Sequence, residues 1–183
     1  KNNRELVIQG IVIDVIKNEN NLKSTQLLPI KEPKKYASLT LNKIICGDAV
    51  EELKKIPDNS IDLMVTSPPY ADARKKHYDS VHPDDFVEWF LSFHESFYNA
   101  LKPDGSLVIN IKDKVVDGVR HRFVWHMIEA LCERGWYSIE DYIWHKTNPM
   151  PGYWPTRLRD GWEYCFHLSK SKKPFFNSDG VRK

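Results

Sequence analysis

Glycine is sparse in this chain: eight occur in 183 residues, and no two are spaced as G-x-G. Loops that cradle a phosphate or a nucleotide need closely spaced glycines, so no such loop is expected within these residues. Cysteine is equally scarce. Cys46, Cys132 and Cys165 lie far apart and form no C-x-x-C pair, which argues against a disulfide framework or a metal site and fits a reducing, cytoplasmic setting. No apolar run approaches the roughly 20 residues that span a bilayer, and no signal peptide is visible. An excess of one charge is also missing. The 27 basic and 25 acidic side chains leave a formal +2, so no global basic field announces nucleic acid. The first residue is Lys rather than Met, so the natural start is expected upstream.

Positive charge is present locally: Arg74-Lys75-Lys76-His77, Arg120-His121-Arg122, Arg157 with Arg159, and Lys170-Ser171-Lys172-Lys173. Such clusters suit phosphate neutralisation, and equally suit ordinary solvated faces.

Residues 1–40 read as an N-terminal extension, with a possible strand pair over Leu6–Ile16 and a polar, Lys-rich connection after it. Residues 41–183 read as one α/β unit. Lys43–Cys46 reads as a strand ending at Gly47-Asp48, followed by a helix with Val50, Leu53 and Ile56 on one face. A buried strand, Ile61–Val65, runs into Ser67. After a basic loop at 71–82, a long helix is expected from Pro83. Asp84 and Asp85 stand in its first turn, and Phe86, Phe90, Phe93, Phe97 and Leu101 form its core stripe. Lys102-Pro103-Asp104-Gly105 turns the chain into a strand over Ser106–Ile111. A helix with Val124, Met127, Ile128 and Leu131 inward then stops at Gly135. Strands near 137–146 and 162–169 flank a Pro-rich loop. The fold class expected is an α/β, Rossmann-like, doubly wound and mostly parallel sheet with an antiparallel edge on its C-terminal side.

The chemistry concentrates in Thr66-Ser67-Pro68-Pro69-Tyr70. Ser67 and Pro68 each precede a proline and are held extended, while each proline fixes its own φ. The strand end therefore projects as a stiff prong carrying a hydroxyl, free carbonyls and an aromatic ring. An exocyclic base amine is a poor nucleophile, because its lone pair is delocalised into the ring. Two acceptors on its N–H groups, such as the Ser67 hydroxyl and the Pro68 carbonyl, draw the nitrogen towards tetrahedral geometry. Tyr70 suits stacking on a base swung out of the duplex. Taken alone, the string equally suits a loop or a polyproline ligand.

With its neighbours the string becomes specific. Cys46-Gly47-Asp48-Ala49, the run Asp58–Tyr70, Leu101–Ile109, Ile143–Pro149 and Trp162–Lys170 follow one another in an order that resembles the permuted beta group of DNA amino-methyltransferases. The likeness covers roughly residues 41–175. In that group the catalytic motif is Asp-, Asn- or Ser-Pro-Pro-Tyr/Phe, and the Ser form is similar to the cytosine-N4 enzymes. The resemblance implies methyl transfer from S-adenosyl-L-methionine to the N4 amine of a flipped cytosine in double-stranded DNA, within a restriction-modification system. Adenine-N6 transfer and a non-catalytic DNA-binding or specificity subunit are the alternatives.

By position in the family, Ser67, Pro68, Pro69 and Tyr70 are catalytic, and Asp48, Ala49 and Thr66 contact the cofactor. Asp48 also suits a turn or a helix N-cap. Trp144, Lys146, Asn148 and Pro149 would line the far side of the base pocket, although Trp144 also reads as a strand core residue. Arg157 and Arg159, in the aromatic loop 147–159, would hold phosphates beside apolar wedges. His145 and His167 read as strand surface residues. No metal is implied. The family's Phe-x-Gly-x-Gly cofactor loop follows the target-recognition region, so the chain resembles an N-terminal catalytic half. Its cofactor loop is expected downstream in the same chain or on a second chain.

Overall fold

The computed structural model describes residues 12–13, 45–72, 80–149 and 151–181. The expected basic loop at Arg74–His77 and most of the N-terminal extension lie outside the described residues. Five strands form the main sheet in the order β1-β2-β3-β7-β6: β1 (Val12–Ile13), β2 (Ile61–Thr66), β3 (Leu101–Ile111), β7 (Trp162–Ser169) and β6 (Tyr137–His145). Between β3 and the helix α4 (Phe123–Cys132), the strands β4 (Lys114–Val116) and β5 (Val119–His121) make a separate hairpin.

Among the described residues only β2 and β3 pair in parallel; β1–β2, β3–β7 and β7–β6 are antiparallel. A mostly parallel sheet is therefore not what the described residues contain. The cause is connectivity. The segment from β2 to β3 is a helical crossover through α2 (Phe86–Leu91) and α3 (His94–Ala100), whereas β7 folds back between β3 and β6 and runs against both. The antiparallel C-terminal side is as expected. Val12–Ile13 pairs with β2; the rest of the expected Leu6–Ile16 strand pair lies outside the described residues. The expected strand Lys43–Cys46 is not seen in its described part, since Ile45 and Cys46 are outside any strand.

One hydrophobic core binds the helices to the sheet. It joins Phe86, Phe90, Phe97, Phe123, Met127 and Leu131 to Leu107, Ile109, Ile111, Phe166 and Leu168. The long helix expected from Pro83 is two short ones, broken at Ser92-Phe93; of its stripe Phe86, Phe90 and Phe97 are buried, Phe93 is half-buried against the core, and Leu101 already belongs to β3. Helix α4 stops where the sequence says: Gly135 has φ +96°, and Trp136 donates back to the Leu131 carbonyl.

Gly105 has a steric duty. A Cβ there would meet the backbone oxygen of Asp62 at 2.9 Å and that of Ile61 at 3.0 Å, and neither can retreat without parting β2 from β3. Gly105→Ala is expected to cost about 1–3 kcal/mol in chemical denaturation, with a lowered midpoint and unchanged slope. An unshifted midpoint would show that this strand pair has slack.

Candidate active site

The prong stands at the carboxyl end of β2, where open α/β sheets collect their ligands. Thr66 is paired with Ile109 of β3, so the next residue on each strand, Ser67 and Asn110, meet across the sheet. The Ser67 hydroxyl donates to Asn110 Oδ1 at 3.4 Å, and Asn110 Nδ2 donates to the Tyr164 carbonyl at 3.0 Å. The second bond fixes which end of the Asn110 amide faces Ser67. With its proton directed to Asn110, the Ser67 oxygen presents lone pairs. Among the described residues nothing donates to the Pro68 carbonyl. Ser67 and Pro69 are half-buried, and Pro68 is buried.

Tyr70 is anchored by its hydroxyl, which donates to Glu163 Oε2 at 2.7 Å. Glu163 Oε1 takes a hydrogen-bonded ion pair from Lys146. Burial, followed by the hydrogen bond to Glu163 and its charge, pushes the Tyr70 phenol far above its ordinary range. Burial pushes the Glu163 carboxyl up, but the bonds from Lys146 and Tyr70 outweigh it and hold the group below the usual carboxylate range. Both directions keep Tyr70 protonated and Glu163 ionised at neutral pH. The prong thus rests on a polar floor of Asn110, Glu163 and Lys146. The sequence reading singled out Lys146 alone. The signal for the other two was available: Asn110 interrupts Leu107-Val108-Ile109, and Glu163 stands between Trp162 and Tyr164. A polar group in such a strand is costly unless it is bonded.

Asp48 is the N-cap of α1 (Ala49–Leu53). Its Oδ1 accepts from the Val50 and Glu51 amides at 3.0 and 3.1 Å. The carboxylate is exposed, and Oδ2 takes no bond among the described residues. The cap and the acceptance of an amine N–H are therefore compatible, and the second carboxylate oxygen fits an adenine-like amine as its acceptor. Ala49 opens α1 and is half-buried, and Thr66 is buried at the end of β2.

Trp144 is 52% exposed, which corrects its reading as a strand core residue: among the described residues β6 is the sheet's edge and carries little cover. Lys146 Nζ lies 5.3 Å from the Trp144 ring centroid. Asn148 is exposed and Pro149 half-buried. His145 is exposed, but His167 is buried against Ser106 Oγ at 2.8 Å, so its reading as a surface residue is also corrected. Arg157 reaches the Gly118 carbonyl at 3.3 Å and lies 5.4 Å from the Trp154 ring, while Arg159 is exposed. Tyr153, Trp154 and Leu158 project beside them with half or more of their surface open. Arg120 is paired with Asp113 and Asp160, and Lys170 with Asn59 and the Tyr98 carbonyl. The Arg120 cluster is thus partly neutralised within the molecule, whereas Lys170 is tied to neutral acceptors and keeps its charge.

The chain resembles known proteins over the same region. It is 35% identical to the type II methyltransferase M.PvuII of Proteus hauseri, over 77% of this chain and 45% of that protein. It is 34% identical to M.SfiI of Streptomyces fimbriatus, over 74% and 38%. It spans less than half the length of these two relatives. The solved PvuII DNA methyltransferase, cytosine-N4-specific, superposes with a TM-score of 0.59 at 31% identity, covering 70% of this chain and 49% of that one. A Thermus thermophilus protein, solved in complex with S-adenosyl-L-methionine, shares the fold with a TM-score of 0.53 at 24% identity, over 74% of this chain and 56% of that one. A family model described as DNA methylase, of the N6/N4 type, matches residues 61–183. That span takes in both the prong and the polar floor beneath it, and the chain belongs to the N6/N4 DNA methylase family.

Proposed function

We propose that this chain carries the catalytic part of a DNA methyltransferase that modifies the N4 amine of cytosine, as the modifying partner in a restriction-modification system. The observation that carries this is the direction of hydrogen bonding at Ser67, whose proton goes to Asn110 and whose lone pairs are left to accept. The Ser67 oxygen and the Pro68 carbonyl take the two N–H groups of an extruded base. As the nitrogen turns tetrahedral, its lone pair leaves the ring's conjugation and becomes nucleophilic. The Tyr70 ring, held at its hydroxyl by Glu163, stacks on the base and keeps it in place.

Asp48, Ala49 and Thr66 are the residues that would hold S-adenosyl-L-methionine, which when bound supplies an electrophilic methyl group and leaves as a neutral thioether. No base is needed before transfer. The spare amine proton departs afterwards to water or by way of Ser67. Lys146, Asn148, Pro149 and Trp144 border the pocket, while Arg157 and Arg159 meet phosphates. The sheet described is one part of a doubly wound domain, completed by a cofactor-loop segment from elsewhere in the chain or from a second chain.

The choice of cytosine rests on the Ser form of the motif and on the specificity of the PvuII relative. Adenine N6–N1 presents the same donor–acceptor edge, so the test is direct. Double-stranded DNA is incubated with the full-length protein and S-adenosyl-L-methionine, digested, and its nucleosides weighed by mass spectrometry. N4-methylcytosine is expected; N6-methyladenine alone would overturn the assignment.

A further inference from the structure

The β4–β5 hairpin rises from the end of β3, directly beside the prong, and it touches three separate loops through charged or polar side chains. Lys114 reaches Asp72 just beyond the Ser-Pro-Pro-Tyr motif, with Nζ 3.2 Å from Oδ2 and 3.4 Å from the backbone oxygen. His121 Nε2 meets Asp84 Oδ1, ahead of α2, at 2.9 Å. Arg120 forks: one arm pairs with Asp113, whose side chain is almost wholly buried, and the other donates to Asp160 Oδ1 at 2.8 Å. Asp160 belongs to the aromatic loop that also carries Trp154, Arg157 and Arg159. That loop returns a second contact through Arg157 to the Gly118 carbonyl at the hairpin tip.

An isolated two-stranded hairpin is marginal in water. This one closes through Asp117 and Gly118, both at positive φ, as a two-residue turn that matches strand twist. Its ties to the surrounding loops supply what the pair lacks, and the same ties fix the loops relative to the prong. A fork of one guanidinium on two carboxylates is geometrically exacting, so it sets position more than it adds charge.

We propose that the β4–β5 hairpin is a positioning element, with Arg120 as the residue through which it holds the 151–161 loop against the catalytic prong for DNA. This deepens the DNA methyltransferase reading and rests on it. Arg120 is a positioning residue, because its contacts are to Asp113 and Asp160 and not to the reacting groups.

The test uses Arg120→Ala and, separately, the more exposed Asp160→Asn in the full-length protein. Trypsin under native conditions reads the loop directly, since Arg157 and Arg159 lie within it. Cleavage there is expected to quicken about tenfold in both variants. The KM for DNA is expected to rise about tenfold with kcat held within about twofold. Cleavage at the unmodified rate in both variants, or a fall in kcat with KM unchanged, would overturn the proposal. If the unmodified protein methylates no DNA, the functional reading fails; the cleavage rates then still decide whether the hairpin holds the loop.

Discussion

Replacing Ser67 by Ala is expected to lower kcat for methyl transfer about 100- to 1,000-fold, the usual effect of removing one preorganised hydrogen-bonding group from the reacting centre. The reason lies in what the hydroxyl does at each stage. In the ground state an amine N–H finds a water nearly as good as Ser67, so binding changes little. In the transition state the nitrogen must hold a tetrahedral geometry that water does not enforce. The loss therefore falls on kcat and not on KM. Folding should be little disturbed: the Ser67–Asn110 contact is long at 3.4 Å, and Asn110 keeps its bond to the Tyr164 carbonyl. Single-turnover transfer of labelled methyl, read beside cofactor and DNA affinity, separates the cases. Intact transfer by the Ala variant would remove the prong from the chemistry and favour a DNA-binding subunit built on the same fold.

The shape of the prong is legible in the sequence, because its parts are local. Two prolines dictate the geometry of the three residues around them whatever surrounds them, and α4, with its Gly135 stop, reads from periodicity alone. Contacts between distant strands are where that reading stopped. Nothing near Ser67 in the chain points to Asn110, 43 residues away, and nothing near Tyr70 points to Glu163, 93 residues away. Only the parallel register of β2 with β3, and the return of β7 between β3 and β6, bring them together. The strand majority was misjudged for the same reason: alternation of helices and strands suggests parallel pairing, while a strand that turns back leaves no periodic trace. The β4–β5 hairpin is a different kind of omission. Asp117-Gly118 between Val116 and Val119 is a local signal for a tight turn, and a reading attentive to it would have found the hairpin. Trp144 was misplaced because an edge strand and a central one share the same composition.

Lys146→Met should lower stability by about 3 kcal/mol at neutral pH, and by much less in acid. Removing one partner of a buried pair typically costs about 3–5 kcal/mol, because the other charge is left uncompensated. Lys146 is about one-third exposed while Glu163 is almost wholly buried, so the lower end applies. Met keeps the length and apolar stem of Lys, which confines the change to the ammonium. The pH dependence follows from Glu163. In the unmodified protein its carboxyl is held low, so the pair's contribution is complete above the unfolded pKa and is lost as pH falls through the folded value. Without Lys146 the effects opposing burial are reduced to the bonds from Tyr70 and Asn110, so the folded pKa is expected to rise above the unfolded one. The variant is then penalised wherever unfolded Glu163 is ionised, and relieved below about pH 4, where the unfolded side chain also takes up a proton. Urea denaturation at pH 7.5 and at pH 4 measures both ends. A deficit of the same size at both would mean that the loss does not arise from the charge on Glu163, and that Tyr70 is steadied by something other than an ionised Glu163.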